Sequence, residues 1–156
     1  EANREARMDE RLRRRIEGMA EDFPDPDQRL RAMGDLFLVL DSYDLATTDQ
    51  ELEPCDARAN RETWEDMIRL QEQGVYPAAF TAIDAPIIML HGAVDPHPGL
   101  MIRRSLEPYV PQLEYREWDR CGHYPWLEKA AADEFFVVLR SWLAQRLAER
   151  PPGTGA

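Results

Sequence analysis

Apolar residues fall at helical spacing through the first part of the chain and bunch into short runs through the last. Met8, Leu12, Ile16, Met19 and Phe23 recur at steps of three and four on an otherwise charged segment, which predicts one amphipathic helix. Phe23-Pro24-Asp25-Pro26 ends it. Asp25 then fits an N-cap, with Pro26 at the first helical position and Gln28 at the third. This second helix runs to about Leu40, with Leu30, Met33, Phe37 and Leu40 inward. Its last turns, Leu36-Phe37-Leu38-Val39-Leu40, are apolar on nearly all sides, so something else should cover them. Residues 41–59 are turn-rich and acidic, with Pro54 against a regular element. Asn60 reads as the N-cap of a third helix, with Trp64, Met67, Ile68 and Gln71 on one face and Gly74 as its C-terminal glycine.

The pattern changes at Pro86. Ile87-Ile88-Met89-Leu90 is a short, wholly apolar run, as strands buried on both faces of a parallel sheet are. Gly99 to about Glu107 predicts a helix with Met101, Ile102 and Leu106 inward, closed by Pro108. Leu113–Trp118 alternates in part and carries charges, as a strand nearer a sheet edge does. A long amphipathic helix follows from about Trp126 to Leu147, burying Phe135, Val138, Leu139, Trp142, Leu143 and Leu147. The order is three helices and then β-α-β-α. A strand, a crossover helix and a parallel strand form a right-handed unit, and the preceding helices form a separate layer or lid. Two strands make a poor sheet alone. The chain therefore divides into a helical cap over 1–80, an α/β core over 81–149 with an incomplete sheet, and a disordered tail over 150–156.

Size and charge narrow the partners. A domain of 156 residues buries roughly 70% of its extended surface. The first residue is Glu, so the chain reads as processed or as a piece of a longer one. Residues 1–15 have no apolar core, so no signal peptide is expected there. No apolar run is long enough for a membrane span. Thirty acids against nineteen bases give a net charge of −11, which argues against a nucleic-acid surface. Cys55 and Cys121 lie far apart and suggest no disulfide framework, so a reduced, cytoplasmic compartment fits. Cys55, Cys121, His91, His97 and His123 lack paired metal-ligand spacing, so neither a metal nor another cofactor is expected.

The candidate chemistry lies at Asp95 and His123. Each directly follows a predicted strand, and ligands gather at the carboxyl ends of strands in open parallel sheets. The side chains are 28 residues apart in sequence, a distance that one helix and one strand account for. A histidine titrates near neutrality and can take a proton from a nucleophile and return it to a leaving group. A carboxylate behind it fixes the tautomer and stabilises the imidazolium. Gly122 permits the sharp turn before His123, and Pro125 stiffens the exit. Taken singly, Asp95 before Pro96 is an ordinary turn residue and His123 an ordinary loop histidine; their joint position after consecutive strands is what points to catalysis. His91 is expected to pack at the strand end, His97 to be solvated, and Cys121 to fill space beside the turn.

Ala85-Pro-Ile-Ile-Met-Leu-His-Gly-Ala-Val-Asp-Pro96 and Cys121-Gly-His-Tyr-Pro-Trp-Leu-Glu128 resemble the C-terminal half of the α/β-hydrolase fold. Members carry a Pro-flanked apolar strand, a Gly-x-x-Asp-Pro turn and a Gly-His-x-Pro-x-x-Glu turn. The resemblance covers about residues 80–147, and the helices before it resemble the cap of members such as proline iminopeptidases and epoxide hydrolases. It implies that Asp95 is the triad acid, that His123 is the general base, and that a small molecule with an ester, amide or related bond is hydrolysed between cap and sheet. Phe37 and Tyr43 are then candidate lining residues. The family's order is nucleophile, acid, histidine, yet Ser42, Ser105 and Ser141 all lack the elbow glycines, so this chain supplies no nucleophile. The competing expectation is a catalytically inactive, shortened homologue that binds another chain, or itself, through an open sheet edge.

Overall fold

The computed structural model describes residues 2–48 and 54–149, so the expectation of a disordered tail lies outside the described residues. Four helices come first: α1 (Ala2–Glu5), α2 (Glu10–Asp22), α3 (Pro26–Leu40) and α4 (Ala57–Glu72). A 3-10 turn over Ala78–Ala82 leads into β1 (Ile87–Gly92), α5 (Gly99–Leu106) and β2 (Leu113–Trp118). A second 3-10 turn, Pro125–Leu127, precedes α6 (Ala132–Ala148). The fold is mixed α/β, and its sheet pairs β1 with β2 in parallel, with Ile87 opposite Leu113 and Gly92 opposite Trp118.

Local chemistry explains most boundaries. The Asp9 carboxylate accepts the Leu12 N–H at 2.7 Å and starts α2 afresh, so the single first helix expected from spacing is broken ahead of it. Asp25 caps α3 as expected, accepting from the amides of Asp27 and Gln28, with Pro26 in the first turn. Asn60 does not cap α4. Asp56 does, accepting the Ala59 N–H at 2.8 Å, so the helix starts earlier. Gly74 adopts φ +70°, the left-handed conformation suited to a helix end.

Packing departs from the expected faces in one consistent way. The strand Ile87–Leu90 is half-buried rather than covered on both sides; among the described residues β2 is its one strand neighbour. Met101 is 62% exposed instead of inward, while Ile102 and Leu106 are half-buried. On α6, Phe135, Val138, Leu139 and Trp142 are half-buried, but Leu143 is exposed and Leu147 is 66% exposed. That helix also begins at Ala132 and not near Trp126, because the Pro125 turn is followed by Glu128 in extended backbone. Trp64 and Ile68 on α4 are likewise exposed. Within α3 the deepest residues are Leu36, Leu38 and Leu40; Leu30, Met33 and Phe37 are half-buried and Val39 is exposed, so the apolar end of this helix is covered only in part.

The compact centre is Trp118, Cys121 and Ala131, with Leu90, Phe135 and Val138 packed against them. Here the loops after β1 and β2 meet. Ala93 donates its N–H to the Trp118 carbonyl at 3.0 Å, and Val94 donates to that of Cys121 at 2.9 Å. The backbones approach so closely at Gly92 that a Cβ there would overlap the carbonyl oxygens of Gly122 and Cys121. Gly92→Ala is therefore expected to lower stability by on the order of 1–3 kcal/mol, the usual cost of overpacking. Urea denaturation measures it, and a wild-type midpoint with an unchanged slope would contradict the close approach.

Candidate functional site

Asp95 sits in the turn that leaves β1, its N–H donating to the Gly92 carbonyl at 3.1 Å. Only 3% of the residue is exposed. One carboxylate oxygen, Oδ1, accepts the His97 N–H at 2.7 Å. The other, Oδ2, lies 2.7 Å from Nδ1 of His123. The two residues that the sequence singles out are therefore brought together from the ends of consecutive parallel strands. With Nδ1–H donating to Asp95, Nε2 of His123 is the nitrogen left to accept a proton. The His123 side chain is 45% exposed.

Each group tunes the other. Hydrogen bonding to Asp95 raises the His123 pKa above its ordinary value. Burial works against this, the charges of Asp95 and Asp41 add to it, and Arg4 subtracts from it. Burial pushes the Asp95 carboxyl upward, but bonds from His123 and from the His97 amide, with the charges of His123 and His91, hold it below the ordinary range. The outcome is an anionic acid behind a histidine poised to become an imidazolium, the pairing a general base needs.

The other histidines behave as expected. His91 is buried at the strand end, with Nδ1 2.9 Å from the Gly92 carbonyl and Nε2 3.5 Å from Asp95 Oδ2. A Cβ on Gly99 would strike its ring, so the start of α5 packs directly on His91. His97 is exposed, its ring centroid 6.3 Å from that of His123. Cys121 is fully buried, and burial together with the charges of Glu128 and Asp95 pushes its thiol up to about 12, so it stays protonated and inert. The Ser42 hydroxyl is buried and donates to the Leu38 carbonyl at 2.6 Å, Ser105 donates to Ile102, and Ser141 is exposed on α6. Among the described residues no group of three or more His, Cys, Asp or Glu side chains could hold a metal ion. No helix of the described residues is long and apolar enough to cross a membrane.

Sequence reasoning missed the surroundings of the pair. The Arg4 guanidinium forms a bidentate ion pair with buried Asp41, at 2.9 and 2.6 Å, and lies over the Phe37 ring. Arg7 donates to the carbonyls of Leu40 and Ser42. Asp41 in turn accepts the His123 N–H on its backbone carbonyl, at 2.9 Å. Of the candidate lining residues, Phe37 thus faces Arg4, and Tyr43 is exposed beneath Arg120. Arg4 and Asp41 are 37 residues apart in a chain rich in both residue types, so no local signal marks them. Compared with protein-family models, curated proteins and solved structures, the chain matches none.

The coupling of the pair makes stability depend on pH with a definite sign. The His123 share is fully present below the ordinary 6.5 and is lost as pH rises through its raised folded value. The Asp95 share is present above 3.8 and is lost as pH falls through its depressed folded value. These are two views of one interaction, so the stabilisation is largest between those limits. Asp95→Asn is expected to remove that maximum and to lower the His123 titration midpoint. Urea denaturation of both proteins across the pH range tests this; a difference between them that stays constant with pH would refute the coupling.

Proposed function

We propose that this chain is the acid–base arm of an α/β-hydrolase-like enzyme that cleaves an ester, amide or related bond in a small molecule. One observation carries the reading: Asp95 Oδ2 and His123 Nδ1 lie 2.7 Å apart at the carboxyl ends of two successive parallel strands. His123 takes the nucleophile's proton at Nε2 and returns it to the leaving group. Asp95 holds the ring in the required tautomer and offsets the charge that forms on it. The Gly-Ala-Val-Asp-Pro turn and the Gly-His-Tyr-Pro-Trp-Leu-Glu turn, whose residues resemble those of that family, are the segments that deliver the two side chains. The helices before the sheet take the place of a cap.

The nucleophile of such an enzyme lies outside residues 1–156. Ser42 and Ser105 have their hydroxyls on backbone carbonyls, and no serine stands between elbow glycines. Loss of a triad nucleophile costs on the order of 10⁶ in turnover. The chain alone is therefore expected to show no triad-type hydrolysis, and a fluorophosphonate probe is expected to label none of its serines. Covalent labelling of any one would overturn this. The parent reading is tested by the coding sequence upstream of Glu1, which should carry a Gly-x-Ser-x-Gly turn, or its aspartate counterpart, between a strand and a helix. An in-frame start at or just before Glu1 would defeat it.

A second reading rests on the open sheet. Among the described residues the strands Ile87–Gly92 and Leu113–Trp118 have only each other, and Phe136, Val137, Leu143 and Leu147 on α6 are exposed. A protein that pairs through such an edge, with a second copy or another chain, would use this surface without catalysis. Light scattering bears on it: self-association is the expected result, and a monodisperse monomer at high concentration counts against it.

A further inference from the structure

The turn presenting His123 rests on a carboxylate with no solvent exposure. Glu128 Oε1 accepts the Gly122 N–H at 2.9 Å and the Tyr43 N–H at 2.6 Å, while Oε2 accepts the Asp44 N–H at 2.6 Å. Backbone bonds run alongside. His123 donates to Asp41 at 2.9 Å, Lys129 to Asp44 at 3.0 Å, and Ala46 to Leu127 at 2.8 Å. The strand-like bridge between Leu45 and Glu128 belongs to the same lacing. Segment 41–46, which leaves the helical layer, is thus sewn to segment 122–129, which carries His123. A Cβ on Gly122 would strike the Asp41 carbonyl, the Ser42 Cα and Glu128 Oε1, so the two segments touch at backbone distance.

We infer that Glu128 is a positioning residue for the Asp95–His123 pair: by accepting the Gly122, Tyr43 and Asp44 amides at once, it fixes the turn that presents His123 and ties the pair to segment 41–46. Three backbone donors converge on one buried side chain, and one of them belongs to the residue immediately before His123. A buried acceptor set of this kind leaves orphaned N–H groups if it is removed, so the turn must rearrange. The imidazole then loses its register against Asp95, which is itself held by the β1 turn and the His97 amide. The role goes beyond the hydrolase reading and does not rest on it, since the pair and its support are defined by geometry alone.

The test is an NMR titration of the His123 ring in the full chain, which needs no substrate. Asp95, Asp41 and Arg4 act on this ring electrostatically, and the rings of His97 and Tyr124 meet it edge-on; none of these residues is altered in the variant. Glu128→Gln keeps one acceptor oxygen but sets an amide donor against backbone donors. The expected result is that the midpoint, held above 6.5 in the unaltered chain, falls back toward 6.5. Leu36→Ala, which weakens the helical layer away from this lacing, serves as comparator and should leave the midpoint in place. A Glu128→Gln chain that folds and titrates like the unaltered one overturns the inference, and so does an equal fall in Leu36→Ala. If Glu128→Gln does not fold, hydrogen exchange in the unaltered chain decides. The Gly122, Tyr43 and Asp44 amides should be protected and should open together. Exchange of Gly122 at the rate of a solvated amide, or independently of the other two, overturns the inference.

Discussion

A carboxyl group with no access to water needs donors from the protein, and the donors that Glu128 finds come from both halves of the chain. Two of its amides belong to the segment after α3 and one to the turn before His123. That requirement draws the helical layer onto the α/β unit, and much of the remaining architecture follows from it. Gly122 must lack a side chain because the Asp41 carbonyl occupies the space, and Gly92 must lack one because the loops after β1 and β2 meet there. The Arg4–Asp41 ion pair and the Arg7 bonds then fasten the N-terminal segment to the same few residues.

The acid–base pair inherits its geometry from this junction. A buried aspartate is acceptable in the interior because both oxygens have partners, His97 on one side and His123 on the other. The histidine remains half open to solvent on the far side, so it can exchange a proton. At both groups burial opposes the hydrogen bond between them. That bond is the leading cause of the rise at His123. At Asp95 burial is the largest influence, and it is outweighed by the His123 bond together with the His97 amide and the charges of His123 and His91. Around this ordered centre the apolar surface is only partly covered. The exposed residues of α4, α5 and α6 and the half-buried strand Ile87–Leu90 are the counterpart of a sheet with two strands among the described residues. Each would be worth roughly 1.5–3 kcal/mol if fully buried, so this surface invites further packing.

Legibility follows the range of the interaction. Asp25 with Pro26, and Gly74 after α4, are readable because a cap is settled by residues within one turn. The two strands and their crossover helix are readable from apolar runs and from Pro108. Asn60 reads as a cap because its residue type suits one, yet the helix begins at Ala57, where the Asp56 carboxylate accepts the Ala59 N–H; only the backbone shows which polar residue stands at the start. Met101, Leu143 and Leu147 fall on expected buried faces because periodicity identifies an apolar stripe but not whether anything lies against it.

The pair itself shows the same division. Residue order alone establishes that Asp95 and His123 each follow a strand of a parallel pair, since strand ends and turn residues are local properties. Folding decides the rest: that the two side chains meet at hydrogen-bond distance, that Glu128 is the buried anchor beneath them, and that Arg4 and Asp41 stand close by. Those contacts join residues 6 to 85 positions apart, and their strength depends on burial and direction. Spacing along a chain carries neither of these until the chain is folded.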